Sequence, residues 1–311
     1  MPFPDFANVP FPDYPDVVLF QQPLKLLPEA AGSTDVLKGR SLQKRDLTGV
    51  FVGPFSIAGV ASYKVLSRGM GIPDAQALPL TRHRFIDLAL SFAPRVAAFD
   101  CDGTLWSGDA GEGFFDWEIR TGLVSPEVGR VMRARYAEYK LGRVSEDDMC
   151  GEMVTMHKGM SEAVMVQAAE EFMVHAFQGK IFGEMLDLVE RLRGQGCDNW
   201  AVSSSNEWVI RAGMKPFGIG ENRILAAKAE IENGVVTDRL VRMPSGAGKP
   251  SALREVLGGR APDAAFGNSR WDKEMLAMAE RGFAINPNPD LEITAREQGW
   301  TVYFPEGTGR R

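Results

Sequence analysis

Four polar segments of this 311-residue sequence carry side chains that together can transfer a phosphoryl group. They hold Asp100, Asp102, Gly103 and Thr104 in the first segment, Ser203 and Ser204 in the second, Lys249 in the third, and Asn268 and Asp272 in the fourth. A carboxylate can attack phosphorus to give an acyl phosphate, which divides one difficult displacement into two easier ones. Each segment alone is a weak signal, since an isolated Asp-x-Asp is usually a solvated turn. The set as a whole indicates phosphoryl chemistry.

The two aspartates of the first segment suit two different roles. Asp100 comes directly after an apolar run and is placed to act as the nucleophile. Asp102, on the following turn, can protonate the leaving alkoxide and then deprotonate the attacking water. Gly103 lets the backbone turn sharply beneath the phosphate. We therefore predict Asp100, Asp102 and Lys249 as the catalytic residues.

A phosphate dianion beside a carboxylate nucleophile is repulsive, so positive charge is needed. Mg²⁺ prefers hard oxygen ligands, and Asp100, the Asp102 carbonyl and a group of the fourth segment can provide them. Lys249 and the Ser203 hydroxyl would hold the transferring oxygens. We expect Mg²⁺ as the cofactor.

The elements that position these residues read as strands alternating with helices. The apolar runs that predict strands are RVAAF (95–99), NWAVS (199–203), DAAFG (263–267), RGFAIN (281–286) and WTVYF (300–304). This alternation predicts an α/β fold with a doubly wound parallel sheet, in which ligands bind at the carboxyl ends of the strands. Three of the four polar segments lie at the carboxyl ends of such strands. The segment of Lys249 lies before the strand predicted at residues 263–267.

Helix signals replace strand signals between the first two predicted strands. Ser125 with Pro126 is typical of a helix start, and Ser145 with Asp148 resembles a capping box. We predict an α-helical cap over residues 109–184, inserted between core segments 89–108 and 185–305. Further along, two β-rich runs flank Asn233-Gly234 and predict a hairpin.

The four segments resemble the motifs of the haloacid dehalogenase (HAD) superfamily. FDCDGTLW (99–106) matches the first motif, AVSSSN (201–206) the second, GKPSAL (248–253) the lysine motif and FGNSRWDKEML (266–276) the fourth. The resemblance covers residues 90–305 and implies a HAD-like Rossmannoid core. The helical insertion and the hairpin are similar to the phosphoserine phosphatase-like branch, which has a C1 helical cap.

Carried over residue by residue, the resemblance implies Asp100 as nucleophile and Asp102 as general acid/base. It implies Thr104 as a support of the first loop, Ser203 and Lys249 as phosphate binders, and Asp272 near the metal. Gly103 and Ser204 join these as candidate phosphate-binding residues. The fourth motif usually begins with Gly-Asp, whereas this chain has Asn268. An amide oxygen can ligate Mg²⁺ but brings no charge, so Asn268 and Asp272 both stay candidate metal ligands beside Asp100 and Asp102.

The cap departs from phosphoserine phosphatases, which hold their amino acid with a cap glutamate and a cap arginine. Asp109 can replace the acid as a substrate-binding residue, but residues 145–159 contain no arginine, which argues against phosphoserine. An alternative is an acidic and aromatic pocket for a cationic head group. Its candidates are Asp109, Glu112, Asp147, Asp148, Trp106, Trp117, Trp208 and Trp271. The plainer interpretation is that the tryptophans pack the cap against the core.

Composition limits the function further. A hydrophobic fraction of 44% excludes a wholly disordered chain, and a net charge of −6 argues against binding nucleic acid. Three distant cysteines fit a reducing compartment, and with no membrane span or signal peptide evident we expect a cytoplasmic location. Residues 1–88 read as a partly irregular N-terminal extension, rich in proline near its start, either a docking arm or a poorly ordered segment. The oligomeric state stays open.

The leading hypothesis is a Mg²⁺-dependent phosphatase that hydrolyses the phosphomonoester of a small metabolite through an aspartyl-phosphate intermediate. A dehalogenase is disfavoured because Asp102 is present. A phosphotransferase stays open, since cap shape and water access alone separate it from a hydrolase. A non-catalytic sensor of a phosphate ligand is the third reading, with Asn268 as the sign of a decayed metal site.

Overall fold

The computed structural model describes residues 80–177 and 179–308, and its centre is a seven-stranded sheet. The strands are β1 (Val96–Phe99), β2 (Asp198–Asn206), β3 (Ile224–Glu232), β4 (Val235–Arg242), β5 (Ala264–Gly267), β6 (Arg281–Ile285) and β7 (Thr301–Tyr303). Their order is β4-β3-β2-β1-β5-β6-β7, and all pairs are parallel except the β3–β4 hairpin at one edge. The predicted parallel sheet and the predicted hairpin are both confirmed.

Helices cover both faces of the sheet. They are α1 (Arg82–Leu90), α2 (Ala110–Thr121), α3 (Pro126–Lys140), α4 (Glu146–Thr155), α5 (Glu162–Ala176), α6 (Gly183–Gly194), α7 (Glu207–Met214), α8 (Gly248–Val256), α9 (Lys273–Met278) and α10 (Pro289–Gln298). Successive side chains of a strand point to opposite faces. Ala97 and Phe99 therefore pack in the layer of α1, α6 and α7, while Val96 and Ala98 pack in the layer of α8, α9 and α10.

The helices α2 to α5 lie within residues 109–184, where the sequence predicts a cap, and we call them the cap. The Ser125 side chain accepts a hydrogen bond from the backbone of Val128 at the start of α3, where Pro126 is the first residue. The Ser145 side chain does the same for Asp148 at the start of α4. The cap rests on the hairpin, because Gly159 donates a backbone hydrogen bond to Val236 at 2.8 Å. The helix α6 packs against β2, so it belongs to the core layer.

The helix α1 precedes β1 and packs against the sheet. Phe85 stacks on Tyr303 of β7 with 4.1 Å between ring centroids, which anchors α1 to the sheet. The predictions for residues 1–79, including the proline-rich arm, lie outside the described residues. Within the part of the chain that the structure describes, no helix is long and apolar enough to cross a bilayer.

Candidate active site

Three of the four polar segments meet because their strands are neighbours in the sheet. Phe99 of β1 pairs with Ala201 of β2 on one side and with Phe266 of β5 on the other. Asp100 continues this ladder by donating its backbone N–H to Phe266 at 2.9 Å. The carboxyl ends of β1, β2 and β5 thus form one edge, as expected for a ligand site in an open parallel sheet.

Asp100 lies in a buried ion-pair cluster. Lys249, in the first turn of α8, donates to Asp100 Oδ1 at 2.7 Å and to Asp272 Oδ1 at 2.5 Å. The Thr104 hydroxyl donates to the second Asp100 oxygen, Oδ2, at 2.7 Å. The side chains of Lys249 and Asp272 are 2% and 0% exposed. The chain therefore holds Asp100 by both oxygens and brings the predicted Lys249 directly to it.

Burial governs the charges of this cluster. Burial raises the pKa of Asp100 to about 6, and the charge of Asp272 adds to the rise while Lys249 opposes it. Burial alone would lower the pKa of Lys249, but the carboxylates of Asp100 and Asp272 outweigh it and raise that pKa above its ordinary value. Lys249 is therefore a cation, and Asp100 is largely ionised above neutral pH, as a nucleophile must be.

Asp102 has a different environment from Asp100. Its Oδ1 accepts hydrogen bonds from Trp106 Nε1 at 2.8 Å and from the Ala110 backbone at 2.5 Å, and its Oδ2 accepts from Ser205 Oγ at 2.7 Å. Desolvation raises the pKa of Asp102 to about 7, and the charge of Asp109 adds to the rise. A carboxyl group with this pKa can both donate and accept a proton near neutral pH.

The first loop turns tightly between the two aspartates. Leu105 and Thr104 both donate backbone hydrogen bonds to Cys101, at 2.8 and 3.1 Å. Gly103 has φ +75°, and a side chain there would also collide with the amide of Asn268. Cys101 is fully buried and belongs to the main hydrophobic core.

Asp272 organises the fourth segment. Its Oδ2 accepts hydrogen bonds from the Asn268 and Ser269 backbone at 3.0 and 2.9 Å, and from the Ser269 hydroxyl at 3.1 Å. Because its Oδ1 is bonded to Lys249, both carboxylate oxygens already have protein partners. Asp272 therefore orients Lys249 and the loop that carries Asn268.

The donors beside Asp100 fit a Mg²⁺ ion. The Asn268 amide lies against Gly103, which directly follows Asp102, so an amide group is close to the backbone of the loop that begins at Asp100. Within residues 80–177 and 179–308, no group of three or more His, Cys, Asp or Glu side chains could hold a metal. Mg²⁺ does not need such a cage, because it is commonly held by one or two carboxylates together with substrate phosphate.

The serines at the end of β2 point in different directions. The Ser203 hydroxyl is buried and accepts a hydrogen bond from the Ser205 backbone at 3.1 Å. Ser204 donates to Glu146 of the cap at 3.4 Å, and Ser205 reaches Asp102. The pairing of β2 with β3 shifts between Ser203 and Asn206, which gives this strand end its irregular course. The Ser205 contact was missed by the sequence analysis, although Ser205 is the third residue of the serine run.

A cavity of about 60 Å³ lies between the cap and the end of β2. Its polar lining from the cap consists of Asp109, Glu112, Tyr136, Tyr139, Lys140 and Glu146. Asp109 is also the N-cap of α2, where it accepts a hydrogen bond from the Glu112 backbone at 2.8 Å. The tyrosines, Lys140 and Glu146 were not identified from the sequence, because they come from α3 and α4 and converge only when those helices pack.

Three of the four tryptophans that the sequence offered for a pocket have packing positions. Trp106, Trp117 and Trp208 are all at most 5% exposed and lie within the main hydrophobic core. Trp106 also serves the site, through its hydrogen bond to Asp102. The aromatic part of the cavity is instead made of Tyr136 and Tyr139.

Comparison with known proteins agrees with this geometry. The sequence profile of the family described as haloacid dehalogenase-like hydrolase matches residues 97–277, more than half of the chain. The chain belongs to this family. The predicted HAD membership and hydrolase class are thereby confirmed.

Individual HAD relatives are distant. The chain is 25% identical to a histidinol-phosphatase of Neisseria meningitidis, over 67% of this chain and 97% of the relative. It is 26% identical to a phosphoserine phosphatase of Mycobacterium tuberculosis, over 67% of this chain and 70% of the relative. A crystal structure of a protein with unknown function from Bordetella pertussis has a TM-score of 0.61 and 24% identity, covering 67% of this chain and 97% of that one. The structural match agrees with the predicted fold class.

Proposed function

We propose that this HAD hydrolase is a phosphatase that hydrolyses small phosphomonoesters through an aspartyl-phosphate on Asp100. The observation that carries the proposal is the contrast between two neighbouring carboxyl groups. Asp100 is held beside the Lys249 cation, with a pKa of about 6, and Asp102 is held by Trp106 and Ser205, with a pKa of about 7. Two carboxyl groups with separate environments suit a nucleophile and an acid/base. Relatives named histidinol-phosphatase and phosphoserine phosphatase support this class.

In the first half of the reaction, Asp100 attacks the phosphorus atom of the substrate. A bond forms between the carboxylate oxygen and phosphorus, and the bond from phosphorus to the ester oxygen breaks. Protonated Asp102 gives its proton to the departing alkoxide. The products are the free alcohol and an aspartyl-phosphate.

In the second half, water attacks the phosphorus atom of the aspartyl-phosphate. Asp102, now a carboxylate, takes the proton of the water, and the acyl–phosphate bond breaks. Phosphate leaves and Asp100 is restored. Lys249 stays beside the reacting group throughout and stabilises the negative charge on the transferring oxygens.

The residues that would hold Mg²⁺ are Asp100, through its carboxylate, Asp102, through its backbone carbonyl, and Asn268, through its amide oxygen. When bound, the ion supplies positive charge that offsets the repulsion between the phosphate and the carboxylates. Asp272 stabilises this arrangement, since it accepts hydrogen bonds from the Lys249 ammonium and from the Asn268 backbone.

The test is phosphate release from p-nitrophenyl phosphate and a metabolite panel in the presence of Mg²⁺. Asp100→Asn removes the nucleophile and keeps the shape of the side chain, so we expect the rate to fall by about a thousandfold or more. Asp87→Asn is the matched control, because Asp87 is exposed on α1, away from the site. A variant Asp100→Asn that keeps its activity would refute the mechanism.

The same assay separates the other two readings of the sequence. Added acceptor alcohol that becomes phosphorylated, at the expense of free phosphate, would identify a phosphotransferase. A protein that binds phosphate esters and turns over none of them would be a sensor. The proposed phosphatase releases free phosphate from the panel whether or not an alcohol is added.

A further inference from the structure

A short segment after β6 contacts both loops that would hold Mg²⁺. The strand β6 is the neighbour of β5 in the sheet, with Gly267 paired to Ala284, so its carboxyl end lies at the same edge as the site. Residues 286–288 follow this end and lead into α10. We call these three residues the β6 loop. The sequence analysis assigned none of them to the site.

The side chain of Asn286 reaches the first catalytic loop. Its Nδ2 group donates a hydrogen bond to the backbone carbonyl of Gly103 at 3.4 Å, across 183 positions of the chain. Gly103 directly follows Asp102, whose carbonyl is a proposed Mg²⁺ ligand. A glycine has no Cβ, so its backbone rotates more freely than that of other residues, and a partner for its carbonyl restricts this rotation. The Asn286 amide therefore restricts the direction of the neighbouring Asp102 carbonyl.

The backbone of the β6 loop contacts the fourth catalytic segment. The Asn288 N–H donates to the Asn268 carbonyl at 2.8 Å. The amide of the Asn268 side chain lies in turn against Gly103. The β6 loop thus joins the two loops that carry the Asp102 carbonyl and the Asn268 amide.

The β6 loop is itself attached to the buried core. The Asn286 N–H donates to the Tyr303 carbonyl of β7 at 2.7 Å. Tyr303 is 2% exposed, and its ring stacks on Phe85 of α1. Residues fixed by strands of the scaffold are held more precisely than residues of free loops. Asn286 therefore offers its amide to Gly103 from a fixed position.

Asn286 has an unusual backbone conformation. Its φ is +44°, in the left-handed region that few non-glycine residues adopt. It also precedes Pro287, and the residue before a proline is normally extended. Strain of this kind persists where the surrounding contacts require it, and it is concentrated at functional sites. Asparagine tolerates the left-handed conformation better than most residues, and here it also supplies the amide donor.

We propose that Asn286 is a positioning residue of the Mg²⁺ site, which holds the Asp102–Gly103 backbone in the form that binds the ion. This inference rests on the proposed phosphatase function, which requires those Mg²⁺ ligands. The Asn286 amide contacts Gly103 and acts on the ion through the Asp102 carbonyl. Residues that orient metal ligands in this way commonly change metal affinity by about 10–100-fold when they are replaced.

The experiment measures Mg²⁺ binding to the full-length protein by isothermal titration calorimetry. Asn286→Gly removes the amide and leaves a residue that adopts a positive φ without strain. We expect its dissociation constant for Mg²⁺ to be at least about tenfold higher than that of wild type. Asn288→Gly is the matched control, because it gives the same loop similar backbone freedom. The Asn288 side chain is exposed and makes no capping hydrogen bond, so this variant should bind Mg²⁺ as wild type does.

A kinetic measurement distinguishes positioning of the metal ligands from general damage to the fold. Turnover of p-nitrophenyl phosphate by Asn286→Gly should be low at Mg²⁺ concentrations near the wild-type dissociation constant. At saturating Mg²⁺ the rate should return to within about threefold of wild type, because mass action restores occupancy of a weakened site. A loss of kcat that persists at saturating Mg²⁺ would overturn the inference, since a damaged fold is not repaired by the ion.

The outcomes for Asn286 and for the phosphatase are distinguishable. Unchanged Mg²⁺ affinity in Asn286→Gly, or an equal loss of affinity in Asn288→Gly, would overturn the inference and leave the proposed phosphatase in place. A wild-type protein that binds Mg²⁺ and turns over neither p-nitrophenyl phosphate nor the metabolite panel would refute the proposed function. The difference in Mg²⁺ affinity between the two variants needs no turnover and would still decide the role of Asn286.

Discussion

Replacing Lys249 with methionine should expose how strongly the buried cluster depends on one positive charge. Lys249 bridges Asp100 and Asp272 at 2.7 and 2.5 Å, and the three side chains are 2%, 8% and 0% exposed. Lys249→Met keeps most of the side-chain volume and removes the charge. Two buried carboxylates then face each other without a counter-charge.

The size of the expected loss of unfolding free energy follows from this burial. Breaking a buried ion pair by removing one partner costs about 3–5 kcal/mol, because the remaining charge stays desolvated. We expect Lys249→Met to lose that amount of unfolding free energy at pH 8. In a domain of this size, the loss corresponds to a fall of about 6–20 °C in melting temperature. An exposed control, Lys273→Met, should stay within about 0.5 kcal/mol of wild type.

The destabilisation caused by Lys249→Met should be smaller at lower pH. The pKa of Asp100 is already raised to about 6 by burial and by Asp272, and removing Lys249 raises it further. A carboxyl group whose pKa is higher in the folded than in the unfolded state destabilises the fold most when it is ionised, above the folded pKa. As the pH falls through that value, Asp100 takes up a proton and the unpaired charge disappears.

The assay is urea unfolding of the metal-free protein at pH 8 and at pH 5.5. The double variant Lys249→Met with Asp100→Asn should be more stable at pH 8 than Lys249→Met alone, because one of the two facing charges is gone. A Lys249→Met protein within about 1 kcal/mol of wild type at pH 8, or a deficit that grows at pH 5.5, would refute the reasoning.

Two further predictions concern the proton and the metal. Asp109→Asn removes a charge that raises the pKa of Asp102, so the alkaline limb of the profile of kcat/KM against pH should move to lower pH. A limb that stays in place or moves to higher pH would count against Asp102 as the acid. Asn268→Asp adds a negative ligand beside Asp100, so calorimetry should show Mg²⁺ binding at least about tenfold tighter than in wild type. Unchanged affinity would place the metal away from Asn268.

Much of the core was predictable because its signals are local. Apolar runs such as RVAAF predict buried strands, and three of the five runs are followed directly by polar residues of the site. The caps of α3 and α4 were likewise readable from Ser125 and Ser145. In a parallel sheet, strand-end residues converge whatever the details of packing, so Asp100 and Asn268 could be placed near each other.

The cap side of the site was not predictable because it depends on tertiary packing. Tyr136 and Lys140 lie on α3 and Glu146 on α4, and no spacing in the sequence shows that the two helices present them to one cavity. The second role of Trp106 was hidden as well, since a buried indole ring gives no sign of where its N–H points.

Histidine shows the same limit. His157 is fully buried. Its Nε2 lies 2.8 Å from the carboxylate of Glu118, which is 39 positions earlier in the chain. Partners so distant in sequence follow from the fold and cannot be read from local spacing.

The central claim, that Asp100 carries the phosphoryl group, is tested most directly in Asp102→Asn with p-nitrophenyl phosphate. The p-nitrophenolate group leaves without a proton, whereas water attack on the aspartyl-phosphate needs the base that this variant lacks. We predict a burst of p-nitrophenol and, after acid quenching and digestion, the mass of one phosphoryl group on the peptide that contains Asp100. Turnover with no phosphoryl group on that peptide, or with the group on another residue, would contradict the account.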